Sequence, residues 1–87
     1  MADYKIAIKK SAGKELEKIG GKDQKRVIER IRSLAIDPRP AGSKKLSGDE
    51  KFRIRQGDYR ILYEVHDDII TVFVVRIAHR KGVYRKS

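Results

Sequence analysis

The first part of the chain shows the hydrophobic pattern of one strand followed by two helices. Apolar and polar residues alternate over residues 4–9, which predicts a half-buried β-strand. Ser11 can N-cap a short helix whose apolar residues recur at helical spacing until Gly20 and Gly21 end it. A second amphipathic stripe predicts a helix from about residue 22 to residue 36, and the prolines within residues 37–40 stop it. The two helices are expected to form an antiparallel hairpin.

The rest of the chain predicts a loop and three consecutive strands. The loop covers residues 40–48, and strict alternation predicts a strand over residues 51–56. Gly57 and Asp58 suit a two-residue type II′ turn into a second strand over residues 59–66. Asp67 and Asp68 form the next turn, and the most apolar strand covers residues 69–77.

These elements predict an α+β fold. An N-terminal strand and a two-helix antiparallel hairpin precede a three-stranded antiparallel meander. The meander forms one sheet with the helices packed on one face, and a short basic turn ends the chain. A length of 87 residues is expected to form a single domain over residues 1–87.

Composition narrows the function classes. Lys and Arg number 22 against 12 Asp and Glu, so the net charge is +10, and a polyanion such as nucleic acid is the expected partner. The absence of cysteine excludes a disulfide scaffold, a zinc ribbon and a thiol nucleophile. His66 and His79 are the only histidines and lack metal-ligand spacing, so no metal or cofactor is expected. No secretion signal and no apolar run of about 18 residues is present, which predicts a cytoplasmic protein without a membrane partner.

The predicted hairpin brings three arginines onto one sheet face. With Gly57 and Asp58 as the loop, Arg55 lies directly opposite Arg60, and Arg53 shares their face. Like charges that face each other across a sheet cost stability. Guanidinium groups also fit phosphate oxygens, so the cluster indicates a phosphate-binding face rather than an ordinary solvated one.

Two segments carry a resemblance to a known family. Residues 52–65 read FRIRQGDYRILYEV and residues 77–85 read IAHRKGVYR. With the order of elements, they resemble the RelE/ParE superfamily of bacterial and archaeal toxins over nearly the whole chain. RelE-type members are endoribonucleases that cleave messenger RNA in the ribosomal A site. ParE-type members share the fold but inhibit DNA gyrase and lack the ribonuclease residues.

The resemblance implies roles for named residues. The implied catalytic residues of the RelE-type site are Arg60, Arg80, Tyr84, Arg53 and Arg55. The best-known members carry lysine where this chain has Arg53 and Arg55, a departure that keeps the positive charge but excludes a general base, because arginine stays protonated. His79 is a further catalytic candidate, although strand parity places it beside Ile77 and Val75, where a lone histidine is usually structural. The basic residues expected to bind RNA are Lys44, Lys45, Lys51 and Lys81.

The mechanism that the resemblance implies is metal-independent attack of an RNA 2′-hydroxyl on the adjacent phosphate. The arginines would stabilise the charge that develops on phosphorus, usually the largest catalytic contribution. Tyr84 would accept the 2′ proton or, alternatively, provide a stacking platform for a base.

The expected partners are the ribosome, messenger RNA and a cognate acidic antitoxin similar to RelB, which would neutralise the +10 surface. Two alternatives remain open. One is a ParE-like gyrase inhibitor that cuts no RNA, and the other is a catalytically inactive basic module that binds RNA or an antitoxin.

Overall fold

A mixed sheet backed by two helices forms the fold. The computed structural model describes residues 3–46 and 50–79. The elements in chain order are β1 (Lys5–Ile8), α1 (Lys10–Glu17), α2 (Gly21–Ser33), β2 (Lys44–Lys45), β3 (Lys51–Gln56), β4 (Tyr59–His66) and β5 (Thr71–His79).

The sheet contains five strands in the order β1-β5-β4-β3-β2. β3, β4 and β5 form an antiparallel meander, but β1 adds to β5 in parallel and β2 adds to β3 antiparallel. The prediction of a three-stranded antiparallel sheet is therefore wrong: the sheet is five-stranded and mixed. The physical reason is that the backbone groups along both edges of the meander need hydrogen-bond partners, which β1 and β2 supply.

The helices and the last turn differ in their bounds from the sequence patterns. Lys9 rather than Ser11 is the N-cap residue of α1. α2 ends at Ser33 instead of residue 36, because residues 34–36 continue with tighter i→i−3 hydrogen bonds before the chain reaches the prolines. The turn from β4 to β5 is a 3₁₀ segment over Asp67–Ile69, closed by Ile70 in the left-handed region with φ 49°, so β5 begins two residues later than predicted.

The core lies between the two helices and one face of the sheet. α1 packs on β5 and α2 packs on β3, and both helices contribute buried residues to the same cluster. Tyr63 is fully buried, stacks on Phe52 at 5.8 Å and donates a hydrogen bond of 2.8 Å to the carbonyl oxygen of Pro38. The chain that leaves α2 is thereby attached to the centre of the sheet. Among residues 3–46 and 50–79, no helix is long and apolar enough to span a bilayer.

Candidate nucleic-acid interface

The β3–β4 hairpin has the predicted register and turn. Arg55 pairs directly with Arg60. Gly57 has φ 61° whereas Asp58 does not have a positive φ, which is the backbone of a type II′ turn. Because the intervening residues of both strands are buried in the core, Arg53, Arg55 and Arg60 lie on the opposite side of the sheet from the helices. We call this side the arginine face.

Two of the three arginines on the arginine face have no ionic partner among the residues that the structure describes. Arg53 and Arg55 form no ion pair or side-chain hydrogen bond with any residue of 3–46 or 50–79. A cavity of about 40 Å³ lies at the turn and is lined by Arg55, Gly57, Asp58, Tyr59 and Arg60. Guanidinium groups placed in this way offer paired N–H donors to an anion, and phosphate oxygens match their geometry.

The strand pairing separates the lysines that were expected to bind RNA. Lys44 pairs with Arg53 and therefore lies on the arginine face. Lys45 points to the other side of the sheet, where its Nζ lies 3.9 Å from Oε2 of Glu50. Lys51 shares the arginine face but is paired with an acidic residue of β4. Of these three lysines, only Lys44 thus directly extends the row of arginines.

His79 lies on the helix-covered side rather than with the arginines. It pairs with Tyr59, and the two rings meet edge-on at 4.9 Å. Both rings line a cavity of about 280 Å³ between α1 and the end of β5. Parity correctly places His79 on the side of Ile77, but a β-bulge in the β4–β5 pairing leaves Val75 out of the alternation.

Glu15 joins α1 to β5 at the point where β1 has ended. One residue after β1, the Lys9 N–H donates a hydrogen bond of 2.8 Å to the Val74 carbonyl. Beyond it, Oε1 of Glu15 accepts a hydrogen bond of 2.8 Å from the Ile77 N–H, and Oε2 lies 3.7 Å from Nε of Arg76. Sequence reasoning missed Glu15 and Arg76 as site residues, because no local pattern signals a contact between residues about 60 positions apart.

A second feature that sequence reasoning missed is the ion-pair network of Arg39. Arg39 contacts Glu50 at 2.7 Å and Asp67 at 2.8 Å, and its guanidinium lies 5.4 Å from the centre of the Phe52 ring. Asp67 also accepts a hydrogen bond from the Tyr4 hydroxyl. Hydrogen bonds from Arg39 and Tyr4 lower the pKa of Asp67, and the bond to Asp67 raises the pKa of Tyr4. Arg39 is therefore a structural cation, unlike Arg53 and Arg55.

Three of the expected site residues, Arg80, Lys81 and Tyr84, lie outside the described residues. In the described part of the chain, no three His, Asp or Glu side chains are close enough together to hold a metal ion.

Comparison with known proteins places this geometry in a family. Residues 6–84 match the family described as the ParE toxin of the type II toxin–antitoxin system parDE. The chain is 30% identical to toxin RelG of Mycobacterium tuberculosis over 87 residues, covering 95% of this chain and 98% of the relative. It is also 30% identical to the putative toxin RelE1 of Methanocaldococcus jannaschii over 86 residues, covering 94% and 96%. The structure resembles a chain of the RelBE2 toxin–antitoxin complex of M. tuberculosis, with a TM-score of 0.79, 28% identity and coverage of 90% and 99%.

Proposed function

This chain belongs to the RelE/ParE superfamily of type II toxins, and from that premise we propose that it is a ribosome-dependent endoribonuclease of messenger RNA. The observation that carries the proposal is the direct pairing of Arg55 with Arg60, with Arg53 on the same face. Cations that face each other cost folding stability, so their retention supports use on an anion. The scissile phosphate of RNA is that anion in our proposal.

The proposed reaction is attack of a 2′-hydroxyl on the adjacent phosphate without a metal ion. The O2′–P bond forms, the P–O5′ bond breaks, and the products are a 2′,3′-cyclic phosphate and a 5′-hydroxyl. Arg53, Arg55, Arg60 and Arg80 stabilise the additional negative charge of the pentavalent phosphorus. Tyr84 accepts the 2′ proton or stacks on a base, and the leaving 5′ oxygen takes up a proton.

The proposed regulator is an acidic antitoxin similar to RelB. Support comes from the resemblance to a toxin chain whose structure was determined as a toxin–antitoxin complex, and from the net charge of +10. Complementary charge speeds association, and this effect weakens as salt screens it. We place the protein in the cytoplasm, where ribosomes and messages are, as a toxin domain over residues 1–87.

A second candidate function is inhibition of DNA gyrase. The specific observation in its favour is that the matching family is described as ParE toxin. In that function the arginine face would bind the target protein or DNA without cleaving RNA.

Single-turnover cleavage on programmed ribosomes tests the first proposal. Arg60→Ala removes a preorganised donor, so the rate should fall by about a hundredfold or more while circular dichroism stays unchanged. Tyr84→Phe keeps the ring and deletes the hydroxyl. The cleavage rate should therefore fall by about two decades if Tyr84 transfers a proton, and by little if Tyr84 only stacks on a base. A wild-type rate in folded Arg60→Ala would refute the nuclease site. An intact message together with inhibited gyrase would favour the second candidate.

A further inference from the structure

The β-bulge at Val75 determines where Arg76 points. In a regular strand, strict alternation from the buried Val74 would place residue 76 on the helix-covered face. The pairing shifts by one residue between Leu62 and Tyr63, so Arg76 pairs with Leu62 and the following Ile77 takes the buried position. Bulges commonly redirect side chains near functional sites. By this pairing Arg76 shares the strand parity of Leu62 and of the arginine face, while its side chain also contacts Glu15 of α1 and lines the cavity beside Tyr59 and His79.

Arg76 completes a lateral row of side chains across four strands. Lys44 pairs with Arg53, Arg53 with Leu62, and Leu62 with Arg76. Neighbouring strands lie about 4.8 Å apart, so the row spans roughly 14 Å across the sheet. Cations occupy both ends of this row, and the half-buried Leu62 is its one apolar member.

The row runs beside the paired arginines of the proposed cleavage site. Arg55 and Arg60 form the next lateral row on the same face, two residues along the strands from Arg53 and Leu62. Two residues of a strand measure about 6.6 Å. An RNA strand whose scissile phosphate contacts Arg55 and Arg60 can therefore bring neighbouring phosphates to the first row.

Arg76 retains most of its hydrogen-bonding capacity. Its side chain is 62% exposed, and Nε lies 3.7 Å from Oε2 of Glu15 in its ion pair. Neither Nη atom forms a hydrogen bond with the residues that the structure describes. Exposed ion pairs of this kind contribute little stability, so a phosphate can compete with Glu15 for the guanidinium.

We propose that Lys44 and Arg76, at the two ends of the row, form a phosphate track that binds the RNA backbone perpendicular to the strands, while Arg53 between them belongs to the cleavage site. Arg76 is the substrate-binding residue at the α1 end of the track, and Glu15 limits its affinity by competing for it. The inference rests on the proposed function, because the track is defined by its position beside the scissile phosphate. It adds a substrate contact and a direction for the RNA across the sheet.

Salt-dependent binding tests the role of Arg76. The probe is a fluorescein-labelled single-stranded oligonucleotide of 2′-O-methyl ribonucleotides, which lacks a 2′-hydroxyl and cannot be cleaved. Loss of one phosphate contact should reduce the slope of log K against log salt by about 0.7. The affinity of the variant relative to that of the wild-type chain should therefore be roughly fivefold lower at 0.1 M salt than at 1 M salt. Arg76→Gln should show this loss in fluorescence anisotropy, and Arg76→Lys should restore most of it. The matched control is Lys5→Gln, which removes one cation at the other end of β5, opposite Thr71, and should leave the slope unchanged.

Substitution of Glu15 gives a prediction of opposite sign. Glu15→Gln keeps an oxygen that accepts the Ile77 N–H but releases Arg76, so binding should become tighter. Glu17→Gln makes the same charge change at an exposed position of α1 and should have a smaller effect. Any one of three results would overturn the track. Arg76→Gln could bind with the wild-type slope, Glu15→Gln and Glu17→Gln could have equal effects, or the wild-type chain could show no detectable binding at 50 mM salt.

The outcome is separable from that of the proposed function. If ribosome cleavage requires Arg60 while Arg76→Gln binds with the wild-type slope, the track alone fails. If the wild-type chain binds the probe with the expected slopes but cleaves no message on ribosomes, the nuclease proposal fails and the phosphate contact of Arg76 stands.

Discussion

Replacement of Arg55 by glutamate should stabilise the fold and at the same time slow cleavage by at least about a hundredfold. In the wild-type hairpin, Arg55 and Arg60 form a like-charge pair in direct register. The substitution removes a repulsion of about 0.2–1 kcal/mol and adds an attraction of similar size. Because Arg55 is exposed, we expect the lost repulsion and the new attraction together to raise the free energy of unfolding by only about 0.5–1 kcal/mol. For a domain of this length, that gain corresponds to a rise in Tm of roughly 2–8 °C.

Thermal unfolding followed by circular dichroism measures the gain in stability of Arg55→Glu. Single-turnover cleavage on programmed ribosomes measures its loss of activity. A carboxylate beside the scissile phosphate should slow the reaction by at least about a hundredfold, because it replaces a stabilising charge with a repelling one. Arg55→Gln, which only removes the repulsion, should give about half of the thermal gain, and Arg55→Lys should give none. A lower Tm in Arg55→Glu would contradict the electrostatic argument. Unchanged cleavage would contradict the use of this pair on a phosphate.

Two further predictions concern the groups that hold the fold together. Tyr63→Phe removes the buried hydrogen bond to the Pro38 carbonyl and should destabilise the chain by about 1–2 kcal/mol, roughly 4–16 °C in Tm, with the cleavage rate of the folded fraction unchanged. The pKa of Asp67 is lowered from its usual 3.8, chiefly by hydrogen bonds from Arg39. The contribution of ionised Asp67 to folding stability is therefore complete above about pH 3.8, and it is lost as the pH falls through the pKa of Asp67 in the folded state. Urea unfolding between pH 5 and pH 2 should show this loss in the wild-type chain, and Asp67→Asn should show less of it.

Local patterns were sufficient for the hairpin at the centre of the candidate site. Alternation in β3 and β4 and a glycine at the first turn position together predict the pairing of Arg55 with Arg60, and the structure confirms it. Both strands are long enough, and polar enough on one face, for a slip of one residue to be penalised by burial of charge. The same local logic predicted both helices, although not their ends, because hydrogen bonds beyond the apolar stripe decide where a helix stops.

Contacts between side chains of different segments could not be predicted from the sequence, because the tertiary structure decides which segments meet. Lys44 and Lys45 are adjacent and chemically identical, yet only the pairing of β2 with β3 decides that one faces the arginines and the other a carboxylate. Likewise, Arg39 becomes a structural cation because the fold brings Glu50 and Asp67 to it.

The sequence by itself determined the α+β composition, the hairpin register and the cationic character of one sheet face, because each follows from neighbours within a few residues. Only the tertiary structure decided that β1 lies parallel to β5, that a bulge turns Arg76 outward, and that Glu15 accepts the Ile77 N–H where β1 has ended. β1 and Glu15 satisfy backbone groups along one edge of β5, and the bulge shifts the pairing of β5 with β4, so all three features join residues distant in sequence. Which residues form these contacts depends on which segments the packed core brings together, and the periodicity of the sequence does not predict that.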